Sequence, residues 1–453
     1  MTKLPLLSTA FLLITAATAC GQTPPPAAPQ VSPKAAYDNA MRPLQVTRNS
    51  IANWSAIESA ALGVTIEHAA AECAARDPKT FAGEDLVDLM RLCALGQAWP
   101  ATVRSANLYI SAKDIPKPRL NQAYAAMIDA LLHLHDEHDA FTTSEKMLSA
   151  VPYDALTAEV IDEALAYMQF SFTDDALTLA TARQPLLLAR LQALASPPPS
   201  APTDSAPSPA PTDPPQSIHE LYGDGLSLAE LQQLDKQPAD ATVAALDATL
   251  PATLVPDDAL PIAALRRRYA MLGQPLPKLA ATTWIGAKAY LGEGGKAPDL
   301  PVAHTITALL LFPDWCAQCI RMGADFPKGV FSVSGHDAFF YGLLAETYLP
   351  ETGKQLPVTP TYAPEDAAAL LTGTPTLAVN PTVLNQFAVT DPPFLIVADP
   401  QGIVRVLQPV TEDAMAPRNT VDSAIALVGR QWPVEHAVPE LGPSPAGQQS
   451  LPH

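Results

Sequence analysis

The sequence predicts two unlike folded units in one chain, an all-helical body followed by an α/β unit, and three observations carry that prediction. Leu156, Val160, Ala164 and Met168 recur at four-residue steps, with Ile161 and Leu165 beside them, a helical period within the Ala- and Leu-rich stretch 35–195. Residues 196–217, SPPPSAPTDSAPSPAPTDPPQS, hold too little apolar surface to form a core and mark a linker. From about residue 275 the pattern turns to apolar runs of strand length, HTITALLLF and PPFLIVADPQGIVRVL.

Taken in order, the first twenty residues join Lys3 to an apolar segment and to small residues before Cys20, the layout of an export signal. The apolar segment is too short to span a bilayer comfortably. ATAC followed by Gly21 resembles a bacterial lipobox, which makes Cys20 a lipidation site and the chain membrane-anchored; Ala17 stands where that motif usually has Leu. ATA also satisfies ordinary signal peptidase, a route that leaves a soluble periplasmic or secreted protein. Both routes place everything after residue 20 outside the cytoplasm. Residues 21–34, GQTPPPAAPQVSPK, form a Pro-rich tether. Within 35–195, HLHDEHD sets His135, His138 and Asp139 on one helical face, a conceivable metal site but more simply a polar helix end.

Residues 218–272 form a helical preface, with Ser227 and Glu230 in SLAELQQL matching a capping box. Arg266, Arg267 and Arg268 read as a solvated helix face. Asp399-Pro400-Gln401-Gly402 has the residues of a type I turn between two strands. A final helix over 419–431 precedes a polar tail, 433–453, with the composition of a disordered terminus.

The formal charge of −19, with 46 acidic against 27 basic side chains, argues against nucleic acid as a partner, because phosphate binding rests on clustered Lys and Arg. Of five cysteines, Cys73, Cys93, Cys316 and Cys319 remain once Cys20 is assigned to the anchor, an even number in an exported chain. Cys73 and Cys93 stand on neighbouring helical segments and read as a structural disulfide closing a loop worth about 3 kcal/mol. Cys316 and Cys319 in FPDWCAQC admit three readings: a redox pair, half a metal site, or a crosslink. Zinc needs two more Cys or His ligands, and no second CxxC exists; a crosslink here closes a very small loop and stabilises little. If a helix opens at Cys316, the first sulfur meets unpaired N–H groups and the positive end of the helix dipole, and Cys319 lies one turn deeper. Cys316 is then the nucleophile and Cys319 the resolving thiol.

FPDWCAQC after an apolar strand resembles the active site of the thioredoxin superfamily, and the wider arrangement is similar to the membrane-anchored extracytoplasmic thioredoxins of the TlpA type. The likeness covers residues 273–432: GQPLPKL as the lead-in, then strand and Trp-CxxC, then Val389 four before Pro393, strand 394–397, Gly402 and strand 403–407. It implies a central mixed sheet flanked by helices and a thiol:disulfide oxidoreductase with no cofactor and no metal. Trp315 and a cis-proline, Pro393 ahead of Pro392, would shape the groove beside Cys316 and Cys319. It also implies protein thiols or disulfides as partners and a membrane electron donor. Leu310 stands where the family often has a buried acid, and Ala317-Gln318 assigns neither direction of exchange. The other reading is a cell-envelope lipoprotein whose helical domain binds partners and whose C-terminal unit is a scaffold.

Overall fold

A computed structural model describes residues 31–50, 56–113, 119–195, 216–279, 281–285, 300–302, 304–313, 330–345, 376–379, 382–389, 393–410 and 417–434. The first part is helical: α1 (Pro33–Ser50), α2 (Ala56–Ala74), α3 (Glu84–Leu95), α4 (Trp99–Ser111), α5 (Leu120–His133), α6 (Glu137–Ala150), α7 (Ala155–Met168) and α8 (Thr173–Ala195). Side-chain caps open α6 and α7, whereas α3, α4 and α5 begin without one. Asp154 Oδ1 accepts the Thr157 backbone N–H at 2.9 Å to open α7, and Asp136 does the same for Asp139 to open α6.

The Asp136 cap corrects the reading of HLHDEHD as one helical face. Helix α5 ends at His133, and His135 takes a left-handed φ of 56° in the turn. His135 therefore precedes the helix that carries His138 and Asp139. The apolar stripe of α7 is placed as its period requires, with Val160, Ile161, Ala164, Leu165 and Met168 all buried.

Helices α2 and α3 approach closely at Gly96, where a Cβ would fall 2.4 Å from the Ala70 backbone nitrogen and 2.6 Å from its Cα. Backbone cannot yield as a flexible side chain does. Gly96→Ala is expected to lower the urea midpoint by the equivalent of about 1–3 kcal/mol, the usual range for overpacking; an unchanged midpoint would show that the two helices separate at no cost.

Beyond the Pro-rich stretch come α9 (Ile218–Leu234), α10 (Asp240–Thr249) and α11 (Pro256–Met271). They share a core with α8: Leu187 and Leu191 pack with Leu221, Tyr222, Leu226, Leu246 and Ile262. The capping box lies ten residues earlier than the sequence suggested. Ser217 and Glu220 cap each other's backbone at the start of α9, whereas Ser227 lies inside the helix with its hydroxyl on the Asp224 carbonyl. The three arginines are not a uniform solvated face either. Arg266 bonds Asp247, Arg268 is buried over the Phe394 ring, and Arg267 is exposed.

The second part is a mixed sheet of β1 (Ala281–Ile285), β2 (Ile306–Pro313), β3 (Val330–Val333), β4 (His336–Ala345), β5 (Thr376–Val379), β6 (Phe394–Ala398) and β7 (Val404–Pro409), with helices α12 (Thr382–Gln386) and α13 (Pro417–Gln431). The strand order is β1-β5-β4-β2-β6-β7, with β3 on β4. Strands β2, β4 and β5 are mutually parallel, while β6 runs against β2 and β7 against β6. The molecule is thus a helical N-terminal part followed by an α/β part, as the sequence predicts.

Strand β2 is covered on both sides, which is why it reads as a continuous apolar run and not an alternation. Ile306, Ala308, Leu310 and Phe312 meet Val421, Ile425 and Val428 of α13, together with Phe170 and Leu234 from the helical part. Leu309 and Leu311 face the other way, onto Val383, Phe387, Leu272 and Leu276. The helical and sheet parts are joined by this shared core and by polar links. Ser171 bonds Ser423 at 2.9 Å, Lys236 reaches the Gln431 carbonyl, and Gly273 N–H donates to the Val404 carbonyl at 2.8 Å. No described helix is long and apolar enough to cross a membrane.

Candidate functional site

The described residues nearest in sequence to Cys316 and to Pro392 lie at one end of the sheet. Strand β2 finishes at Pro313, and Cys316 follows three residues later in the chain. Strand β6 starts at Phe394 and runs antiparallel to β2, with Leu311 paired to Phe394. The end of β2 and the start of β6 therefore share one sheet end, with Phe312 and Pro393 one position beyond the last pair. Pro393 is buried, and its carbonyl accepts the Val410 N–H at 2.9 Å, tying it to the end of β7. A proline at this place removes no ladder donor, because it precedes the strand.

Trp315, Cys316, Cys319 and Pro392 lie outside the described residues, as do Cys20 and the Pro392–Pro393 peptide bond. Leu310 is fully buried in the apolar cluster under α13, so its position supplies no proton acceptor.

The opposite end of the sheet is held by a buried carboxylate. Asp399, wholly buried, accepts from Gln401 N–H at 2.9 Å, Ile403 N–H at 3.0 Å and Arg405 Nε at 2.7 Å. Gly402 closes the turn with its N–H on the Asp399 carbonyl at 2.8 Å and φ of +77°, a conformation glycine takes without strain. This is the turn that the residue types foretold. Arg405 in turn lies 4.2 Å from the Trp432 ring centroid. The Asp399–Arg405 pair thus braces the turn between β6 and β7 and brings Arg405 against Trp432, just past the end of α13.

Cys73 and Cys93 are bonded to each other, with Cα atoms 5.1 Å apart, and both are buried between α2 and α3. Their sulfurs are closed to solvent and belong to the packing of the helical part. Among the described residues no three His, Cys, Asp or Glu side chains are grouped to hold a metal ion.

Sequence reasoning passed over one cluster altogether. Arg183 of α8 is wholly buried and donates to Asp162 of α7, to the Asp224 carbonyl of α9 and, at 2.7 Å, to Ser227 Oγ. The signal in the sequence is an arginine inside the apolar run of α8. Its partners come from helices 21 to 44 residues away, a distance at which no local pattern connects them.

Comparison with family models, with curated proteins and with solved structures finds no match for this chain.

Proposed function

We propose that the chain is an extracytoplasmic thiol:disulfide oxidoreductase working through Cys316 and Cys319, with the α/β part as a thioredoxin-like unit. One observation carries the reading. Strands β4, β2, β6 and β7 stand side by side, the first two parallel and the next two antiparallel in turn, followed by α13. This order supports a unit in which a CxxC pair leaves the end of β2 beside a proline that begins β6. Chain connectivity alone keeps Cys316 within about 10 Å of the end of β2, at about 3.3–3.6 Å per residue.

In the forward direction the Cys316 thiolate attacks one sulfur of a substrate disulfide. A mixed disulfide forms and the substrate's other sulfur leaves as thiolate. The Cys319 thiolate then attacks Cys316, breaks the mixed disulfide and releases the second substrate sulfur. Two electrons pass from the cysteine pair to the substrate, which ends reduced, while Cys316 and Cys319 end joined. Protein thiols or disulfides are the substrates, and a membrane electron donor is the partner that restores the dithiol. Cys20 would hold the chain at the membrane by its lipid, on the periplasmic side.

A glutathione titration with alkylation and mass spectrometry tests this reading. The expected result is one 316–319 disulfide with a single two-electron midpoint, about 30 mV of potential for each tenfold change in the exchange constant. A strongly reducing midpoint assigns reduction of substrates, and an oxidising one assigns disulfide donation. A pair that never forms the bond excludes the function.

The second reading, a cell-envelope binding lipoprotein with the α/β part as scaffold, draws on Leu310, buried among apolar side chains. Full-length chain with both Cys316 and Cys319 replaced by serine discriminates, since partners it still retains favour binding. A fragment ending at residue 195 is unsuited to this test, because it would strip Leu187 and Leu191 of their α9 contacts.

A further inference from the structure

The starts of α9 and α11 bring a hydroxyl, an imidazole and a carboxylate into one hydrogen-bonded line. Asp258, buried in the first turn of α11, accepts on Oδ1 from His219 Nδ1 at 2.8 Å and from the His219 backbone N–H at 3.1 Å. With the ring proton held at Nδ1 by the carboxylate, Nε2 is left as an acceptor, and it stands 3.4 Å from Ser217 Oγ. A separation of 3.4 Å is long for this bond, and bonds of this kind in substrate-free sites shorten when the complex forms. The carboxylate comes from 39 residues further along the chain than the imidazole, so only the folded protein holds the line together.

Helix capping accounts for part of this arrangement and not for the rest. The capping box needs only Ser217 and Glu220, with the Glu220 N–H on Ser217 Oγ at 3.2 Å and the Ser217 N–H on Glu220 Oε2 at 2.8 Å. It uses the serine oxygen as an acceptor and has no use for its proton, which His219 Nε2 is placed to take. Ile218, directly after the serine, carries the first N–H of the helix, a donor with no helical acceptor, at the end where the helix dipole favours negative charge.

We propose that Ser217, His219 and Asp258 form a hydrolytic site for small neutral carboxylic esters. Ser217 Oγ attacks the ester carbonyl carbon as its proton passes to His219 Nε2, and the Ile218 N–H faces the oxyanion that forms. The intermediate collapses with cleavage of the bond to the alkoxy oxygen, which leaves as the alcohol with the proton from His219. Water then attacks the acyl-serine and gives its proton to His219. The acid is released and Ser217 takes the proton back. Asp258 touches no substrate and is a positioning residue, fixing the tautomer and angle of the ring. The neighbouring charges along the chain, Glu220, Asp257 and Asp258, are all acidic, which disfavours an anionic substrate. Val255 and Leu260, within three residues of Asp258, are both largely exposed and offer apolar surface to a short acyl group. Ser217 and His219 keep part of their own surface open, 33% of the side chain for His219. The site shares no residue with the cysteine pair, so either reading can fail alone.

The test uses the full-length chain with its thiols blocked by iodoacetamide, so that no cysteine can add to the ester. A fluorophosphonate probe followed by peptide mass spectrometry is expected to place one phosphonyl group on Ser217, and hydrolysis of p-nitrophenyl acetate is expected above the buffer rate. Ser217→Asn keeps the cap, because its side-chain oxygen accepts the Glu220 N–H as the serine does, and should lose both the label and the hydrolysis. His219→Gln should lower kcat about a hundredfold or more, the usual share of a general base. Asp258→Asn should lower kcat at nearly unchanged KM, a split that loss of a merely structural link between α9 and α11 would not produce. An unlabelled Ser217, or a folded Ser217→Asn chain that hydrolyses the ester at the parent's rate, overturns the proposal. If Ser217→Asn does not fold, the rate of His219→Gln decides in its place.

Discussion

Cys316→Ser is expected to bring dithiol exchange down to the uncatalysed rate, while Cys319→Ser should retain the first attack and accumulate a chain–substrate mixed disulfide. A serine hydroxyl does not ionise near neutral pH and forms no bond with a disulfide sulfur, so loss of the nucleophile admits no partial rescue. The division of labour can be weighed. If a helix dipole lowers the Cys316 thiol from about 8.5 to about 7, the thiolate fraction at pH 7 rises about 15-fold. Nucleophilicity falls with the same shift, by about fivefold at a Brønsted slope of 0.4–0.5, so the net gain is only about threefold. Acidification of Cys316 is thus the smaller effect. Most of the rate must come from holding a second thiol where it resolves the intermediate, which is why the Cys319 variant should stall and not merely slow. Insulin reduction followed by fluorescence, with non-reducing electrophoresis of the trapped adduct, reads both outcomes. Exchange by Cys316→Ser at the parent rate would sink the oxidoreductase reading.

The second large effect is structural. Removing the Cys73–Cys93 bond by a double alanine substitution is expected to lower stability by about 3 kcal/mol, from loop closure across the 20-residue separation in the unfolded chain. Truncating two buried sulfurs adds to that loss. The bond should resist mild reductant in the native state, because Cys73 is 2% and Cys93 1% exposed. Under such reductant only residues 316 and 319 should be alkylated among the paired cysteines. Urea unfolding of the double variant measures the loss; a midpoint equal to the parent's would mean that the bond staples nothing.

Much of this architecture is legible locally. The four-residue recurrence in α7 needs only the 3.6-residue turn of a helix. The run ALLLF needs only to be apolar throughout to demand cover on both faces, and Asp399 to Gly402 carry the residues that a tight turn selects. The candidate site is legible in the same way, as an ordered string of strand, CxxC, proline and strand. The misreadings share a cause, since each depends on which of two equivalent local signals wins. Ser217–Glu220 and Ser227–Glu230 both match a capping box, and only the packing of Leu221, Leu226 and Leu228 requires the helix to begin at the earlier one. Arg268 looks like Arg267 in sequence and differs in being buried, over the Phe394 ring.

By itself, the sequence determined whatever is set by neighbours along the chain: the helical and strand periods, the Pro-rich stretches and the spacing of Cys316 and Cys319. Tertiary structure alone decided what is set by neighbours in space. It put the start of β6 against the end of β2, joined α8 to α9–α11 in one core, and gathered Asp162, the Asp224 carbonyl and Ser227 around the buried Arg183. The physical reason is range. Backbone propensity and hydrophobic period act over a few residues, whereas burial and Coulomb interaction act over ångströms and take no account of how far apart two residues stand in the chain.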